Sequence, residues 1–231
     1  MKTIGIIGGL GPESTIEYYR AMIATYMERK PDDGYPSILI NSIDLKKVLS
    51  LAGANQRAQL AEYLLTALQQ LARAGAEIGL IAANTPHIVF DEVRKSSPIP
   101  LISIVEVTRD AAKAQGLSKV ALFATTFTVQ ARFYPEVFSK AGIAIAVPDE
   151  EDQAFIHHSY LNELVKGLVR EETKAELLAI VDRLKGRDGI QGLILGGTEL
   201  SLIFRDPTVR GIAVLDTTKI HARAIVMGAL S

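Results

Sequence analysis

The sequence predicts an α/β fold of two similar lobes, each a four-stranded parallel sheet flanked by helices, the lobes related by a pseudo-twofold axis. Three observations predict it. Short apolar runs alternate with longer stretches of helical period, the pattern of strand–helix–strand units. The short runs are nearly continuous in aliphatic residues, as strands covered on both faces are. The first half of the chain also echoes the second. Thr3-Ile4-Gly5-Ile6-Ile7-Gly8-Gly9 matches Lys119-Val120-Ala121-Leu122-Phe123-Ala124-Thr125, and the run 79–85 matches 192–198. Both pairs lie about 115 residues apart, which points to one duplicated lobe rather than a short-period solenoid.

The strands of the first lobe are expected at residues 3–8, 37–43, 77–83 and 100–104. Those of the second are expected at 119–124, 143–147, 190–196 and 211–215. Among the helices, one is capped at Asn55 and carries Leu60, Leu64, Leu68 and Leu71 on a single face, with Gly75 as its stop. Others are expected over 14–29, 105–115, 128–140, 152–169, 172–185 and 217–230. The last helix returns to the first lobe, giving lobes of 1–104 plus 212–231 and of 105–211. No stretch rich in Pro, Gly or Ser separates them.

Composition narrows the function. The 231 residues are 48% hydrophobic and 22% charged, enough apolar surface to offset the chain entropy lost on folding. The net charge is −1 with no basic block, which argues against a nucleic-acid partner. The longest apolar runs, such as 78–83 and 192–197, are too short to span a membrane. The apolar N-terminus meets a glycine-rich turn at Gly8 too soon for a signal peptide, so it reads as a first strand of a cytoplasmic protein. The chain has no cysteine, which removes disulfides, thiolate nucleophiles and thiolate metal sites together. His157 and His158 are adjacent, so their rings diverge on a helix. No metal site and no cofactor are expected.

Ligands of open parallel sheets bind beyond the carboxyl ends of the strands, and four loops fall there. Gly8-Gly9-Leu10-Gly11-Pro12-Glu13-Ser14-Thr15 joins glycines to a helix start, a setting for a small anion; its spacing fits neither a dinucleotide fingerprint nor a P-loop. Ala83-Asn84-Thr85-Pro86-His87 offers amide and hydroxyl groups to a carboxylate or ammonium. On its own, His87 is more often a structural histidine than a reactive one. Thr125-Thr126-Phe127-Thr128 sets three hydroxyls at a strand–helix junction, where capping and ligand binding are compatible. Gly197-Thr198-Glu199-Leu200 places a carboxylate beside a hydroxyl. Two such lobes facing each other would close a cleft over a small ligand.

These segments resemble the aspartate/glutamate racemase superfamily over essentially the whole chain. Gly8-Gly9-Leu10-Gly11-Pro12 is similar to the family's opening G-G-M-G-P, Ala83-Asn84-Thr85-Pro86-His87 to its C-N-T-x-H, Thr125 to Thr128 to its T-T-x-T, and Gly196-Gly197-Thr198-Glu199 to its G-C-T-E. The resemblance implies cofactor-independent inversion of an acidic amino acid, in which one cysteine per lobe flanks the α-carbon. One thiolate removes the proton while the opposite thiol supplies another. It also implies a homodimer. Substrate contacts are expected from Gly9, Leu10, Asn84, Thr85, Thr125, Thr126, Thr128, Thr198 and Lys166, with Lys46 or Lys47 in a second basic position.

The sequence departs from the family where the chemistry is done, because Ala83 and Gly197 stand at the two cysteine positions. Neither has a side-chain atom that can exchange a proton. Losing two acid–base groups, each worth about 10²–10⁴-fold, disables two-thiol racemisation. Glu199, His87 and Asp44 are the candidate substitutes. The other readings are a carboxylate-binding protein without turnover, and a lyase using a different base.

Overall fold

The structure is a computed structural model that describes residues 1–231. It divides into one unit of Met1–Val107 with Thr218–Ser231 and a second of Thr108–Thr217. In chain order the elements are β1 (Ile4–Gly8), α1 (Pro12–Arg29), β2 (Ile38–Ser42), α2 (Leu45–Gly53), α3 (Arg57–Arg73), β3 (Ile78–Ile81), α4 (Phe90–Ser96) and α5 (Ile104–Ala114). They continue as β4 (Lys119–Phe123), α6 (Thr126–Gln130), α7 (Phe133–Ser139), β5 (Ala144–Ala146), α8 (Glu150–Asn162), α9 (Glu171–Asp188), β6 (Gly192–Leu195), β7 (Thr208–Val209), β8 (Ile212–Asp216) and α10 (Thr217–Leu230).

The first unit is built on a parallel sheet of order β2-β1-β3, in which Ile4 faces Ile38 on one side and Ile78 on the other. Every residue of β1 is buried, and alternate side chains serve opposite faces. Ile4 and Ile6 pack with Tyr18 and Met22 of α1 and Ile225 and Val226 of α10. Ile7 packs with Leu64 and Leu68 of α3. Where a fourth strand is expected over 100–104, only one isolated parallel bridge forms, between Gly79 and Leu101. Pro98 and Pro100 both precede Leu101 and have no N–H to extend the ladder in that direction.

The second sheet runs β5-β4-β6-β8-β7. Its core joins Phe123, Leu193 and Leu195 to Leu177, Ile180 and Val181 of α9. β8 pairs in parallel with β6, from Gly192 opposite Ala213 to Leu195 opposite Asp216. A lobe boundary at 212 therefore falls one strand too early, and α10 alone returns to the first unit. β7 is an unforeseen antiparallel strand, joined to β8 by Arg210 and Gly211 with φ of 50° and 75°. Positive φ at both central residues is the backbone of a tight hairpin turn.

The helix expected over 128–140 is two helices broken at Arg132, whose φ is 60°. Pro135 explains the break, since proline is tolerated in a first turn and not in a helix interior. The run 152–169 likewise stops at Asn162 and resumes as a short 3₁₀ turn, Leu164–Lys166. No helix is long and apolar enough to cross a membrane.

Candidate functional site

In the first unit, the strand β1 ends in a tight glycine turn. Gly9 has φ of 79°, and a Cβ there would lie 2.6 Å from Ser42 Oγ and 2.8 Å from Ile43 N. Only glycine fits so close an approach of two chain segments. Thr15 locks the turn: its Oγ1 accepts from Gly9 N–H at 2.9 Å and donates to the Gly11 carbonyl at 3.2 Å. The Gly9 amide is thus engaged inside the loop, and the Leu10 side chain lies in the apolar core. Ser14, in the first turn of α1, is buried with a hydroxyl that has no partner.

Beyond β3, the Ala83 methyl is packed in the same apolar cluster as Ile7 and Leu64. Asn84 is buried, and the Thr85–Val89 segment forms a 3₁₀ turn. His87 closes this turn. Its Nδ1 lies 2.9 Å from the Ala83 carbonyl, and its Nε2 accepts from Ile104 N–H at 3.2 Å. An accepting Nε2 fixes the neutral tautomer with the proton on Nδ1, so Nδ1 is the donor to Ala83. Burial first, then the neighbouring His221, lowers the His87 pKa from 6.5 to about 3. His221 is similar: Tyr18 donates to its Nδ1 at 2.8 Å, its Nε2 lies 2.9 Å from the Ile102 carbonyl, and burial lowers its pKa to about 4. His87 is therefore a strut, with both ring nitrogens engaged by backbone groups.

Asp44 follows β2, and its exposed carboxylate caps α2 by accepting from Lys46 N–H at 2.8 Å. That is ordinary N-cap work. Lys46 is exposed, and Lys47 places its ammonium 4.1 Å over the Tyr63 ring.

In the second unit, Thr125 caps α6, accepting from Thr128 N–H at 3.4 Å, and the two hydroxyls are 3.2 Å apart. Thr126 N–H donates to His157 Nδ1 at 3.2 Å. Beyond β6, Thr198 and Glu199 begin a 3₁₀ turn and are both buried. Glu199 Oε2 accepts from Thr198 Oγ1 at 2.8 Å and also from the Tyr160 hydroxyl. Withdrawal from water, and after it the Glu199 carboxylate, raises the Tyr160 phenol well above its usual range. A phenol so held stays protonated at neutral pH. The cluster ties Tyr160 and Thr198 to one carboxylate oxygen. Lys166 is exposed at the end of its 3₁₀ turn.

Helix α8 supplies what the sequence reading missed. His157 and Tyr160, three residues apart and so on one helical face, reach the ends of β4 and β6 respectively. The signal was present in that spacing, but nothing local in the sequence says which strand ends the helix covers. Elsewhere on this unit, a hollow of about 740 Å³ is lined by Asp149, Asp152, Phe155, Glu172, Glu176 and Arg183, among others. It takes no residue from the loops above. No group of three or more His, Cys, Asp or Glu side chains is placed to hold a metal.

The comparisons with known proteins agree on one family. The profile of the Asp/Glu/hydantoin racemases matches residues 7–225. The broad specificity amino-acid racemase RacX of Bacillus subtilis is 22% identical, with 96% of each chain aligned. An uncharacterized protein of Pectobacterium carotovorum is 33% identical across 49% of this chain and 74% of its own. Among solved structures, an aspartate racemase homologue from Pyrococcus horikoshii superimposes with a TM-score of 0.85 at 34% identity, both chains covered in full. A candidate Asp/Glu racemase from Yersinia pestis gives 0.90 at 31%, again with full coverage of both.

Proposed function

Because the chain belongs to the Asp/Glu/hydantoin racemase family, we propose that it binds a small carboxylated amino acid at the loops beyond its strand ends, without a cofactor and without the two-thiol proton relay. One observation carries the second half of this reading. By the motif resemblance, the family's two cysteine positions fall on Ala83, a methyl group in an apolar core, and on Gly197, which has no side chain. Inversion needs a titratable atom on each face of the α-carbon. The hydrogen bonds of the three candidate replacements support the same reading: His87 is engaged at both nitrogens, Asp44 caps a helix, and Glu199 accepts from two hydroxyls.

The first half rests on what the loops retain. The buried, unpartnered Ser14 hydroxyl lies at a helix start, where partial positive charge favours an anion. Asn84, Thr85, Thr125, Thr126, Thr128 and Thr198 keep the family's polar side chains in order, and Lys166 is exposed for a distal carboxylate. RacX, by its name a broad specificity amino-acid racemase, supports an amino acid as the ligand. A homodimer in the cytoplasm belongs to the same proposal.

Titration calorimetry with both enantiomers of aspartate and glutamate, against leucine as a neutral control, tests the binding. Saturable uptake of an acidic ligand is expected, weakened more by Lys166→Met than any uptake of leucine. Heats no larger for the acidic set than for leucine count against it.

A further inference from the structure

Gly197 has φ of −121° and ψ of 124°, extended backbone that any L-residue adopts. Glycine is therefore not required there for conformation. It is required for room. A Cβ built at 197 would lie 2.8 Å from Cδ2 and 3.0 Å from Cζ of the Tyr160 ring, and nearer still to Cε2. Real Cβ atoms do not approach other carbons so closely, so one of the two side chains must give way. Tyr160 is not a loose chain end that can swing aside freely. Its ring rises from α8, and its hydroxyl is tied to Glu199, which Thr198 holds in turn.

We propose that Tyr160 determines what the second unit presents at the end of β6: its ring, pinned by Glu199, occupies the space of a side chain at 197 and so replaces a reactive thiol with a fixed aromatic wall. This deepens the proposed function and rests on it for the meaning of the site, though not for the steric claim. It has a further consequence. A single change restoring cysteine at 197 meets the ring and does not restore the family's arrangement, so positions 160 and 197 change together or not at all.

A double-mutant cycle on stability tests this directly, read as the unfolding equilibrium constant in urea. Gly197→Ala is expected to raise that constant about 10- to 100-fold in the wild-type background, the usual effect of overpacking. In the Tyr160→Ala background the same change should cost less than about threefold. Tyr160→Phe keeps the ring and drops the hydroxyl that pins it, so the effect of Gly197→Ala there should fall between those in the other two backgrounds. Equal effects of Gly197→Ala in the wild-type and Tyr160→Ala backgrounds overturn the proposal. If Gly197→Ala alone fails to fold, recovery of folding when it is combined with Tyr160→Ala supports the proposal, and failure of both overturns it. Titrating wild type with L-aspartate in parallel separates the two readings. Absence of binding there counts against the proposed function, while the cycle still decides the role of Tyr160.

Discussion

His87 donates its Nδ1–H to the carbonyl oxygen of Ala83 at 2.9 Å, so the backbone at Ala83 is braced by the histidine four residues later. The other nitrogen of that ring accepts from Ile104 N–H, and the ring stacks on Phe90 at 4.7 Å between centroids. A side chain that suggests chemistry in the sequence is, in the fold, the clasp that shapes the loop.

Acid should loosen this clasp. His87 and His221 have native pKa values lowered to about 3 and about 4, against 6.5 when unfolded. Between those limits the unfolded chain holds protons that the native chain does not. Stability from both rings is therefore full above pH 6.5 and is lost as pH falls toward 4. The combined loss is on the order of 5 kcal/mol by pH 4. Urea midpoints measured from pH 8 to pH 4 should fall accordingly, and His87→Asn should flatten the slope while lowering stability at pH 8. An acid slope unchanged in that variant contradicts the assignment.

Asp44→Ala separates a cap from a catalyst. The carboxylate accepts only from Lys46 N–H among the contacts seen, so its loss should cost about 1 kcal/mol of stability. Affinity for an acidic amino acid should stay within about twofold of wild type, within ordinary surface-substitution limits. A large loss of binding with stability intact would return Asp44 to the site.

Tyr160→Phe removes one of the two hydroxyls on the buried Glu199 carboxylate. Hydrogen bonds to charged groups are worth about 1.5–3 kcal/mol, and thermal and urea unfolding should register a loss of that order at pH 7. Thr198→Val should act on the same oxygen, and the two changes should be non-additive, since they share one acceptor.

Gly9→Ala should be far more damaging than its size suggests. It combines φ of 79° with approach to Ser42 Oγ and Ile43 N, and a loss of about 3 kcal/mol or more is expected in urea unfolding. A loss below about 1 kcal/mol would mean that the β1 and β2 ends are not closely joined.

Much of this architecture is legible in the sequence because buried parallel strands announce themselves. The runs beginning near Thr3, Glu77 and Lys119 hold the buried strands β1, β3 and β4, and the run near Ser37 holds the more exposed β2. What escaped was set by single residues whose effect depends on context. Pro100 thins an expected strand to one bridge, Pro135 divides a helix, and the Arg210–Gly211 turn adds a strand too short to show periodicity. The site divides the same way. The four loops were singled out because they end strands, and Ala83 and Gly197 because they stand in recognisable motifs. Tyr160 was not, because its role exists only where α8 meets β6, and its partner in that contact is the absence of a side chain. Glu199, Asp44 and His87 were legible as polar groups at strand ends; Asp44 caps its own helix locally, but the bonds of His87 to Ile104 and of Glu199 to Tyr160 are tertiary.

One measurement bears on the whole account. Purified protein is incubated with L-aspartate, and separately with L-glutamate, in deuterated water at neutral pH. Loss of the α-proton signal is followed by NMR, and the enantiomers are resolved by chiral chromatography. The account predicts that both amino acids keep their configuration and that D-enantiomer forms no faster than in protein-free solution. Appearance of the D-enantiomer at an enzymatic rate, from a chain with no thiol, would contradict it.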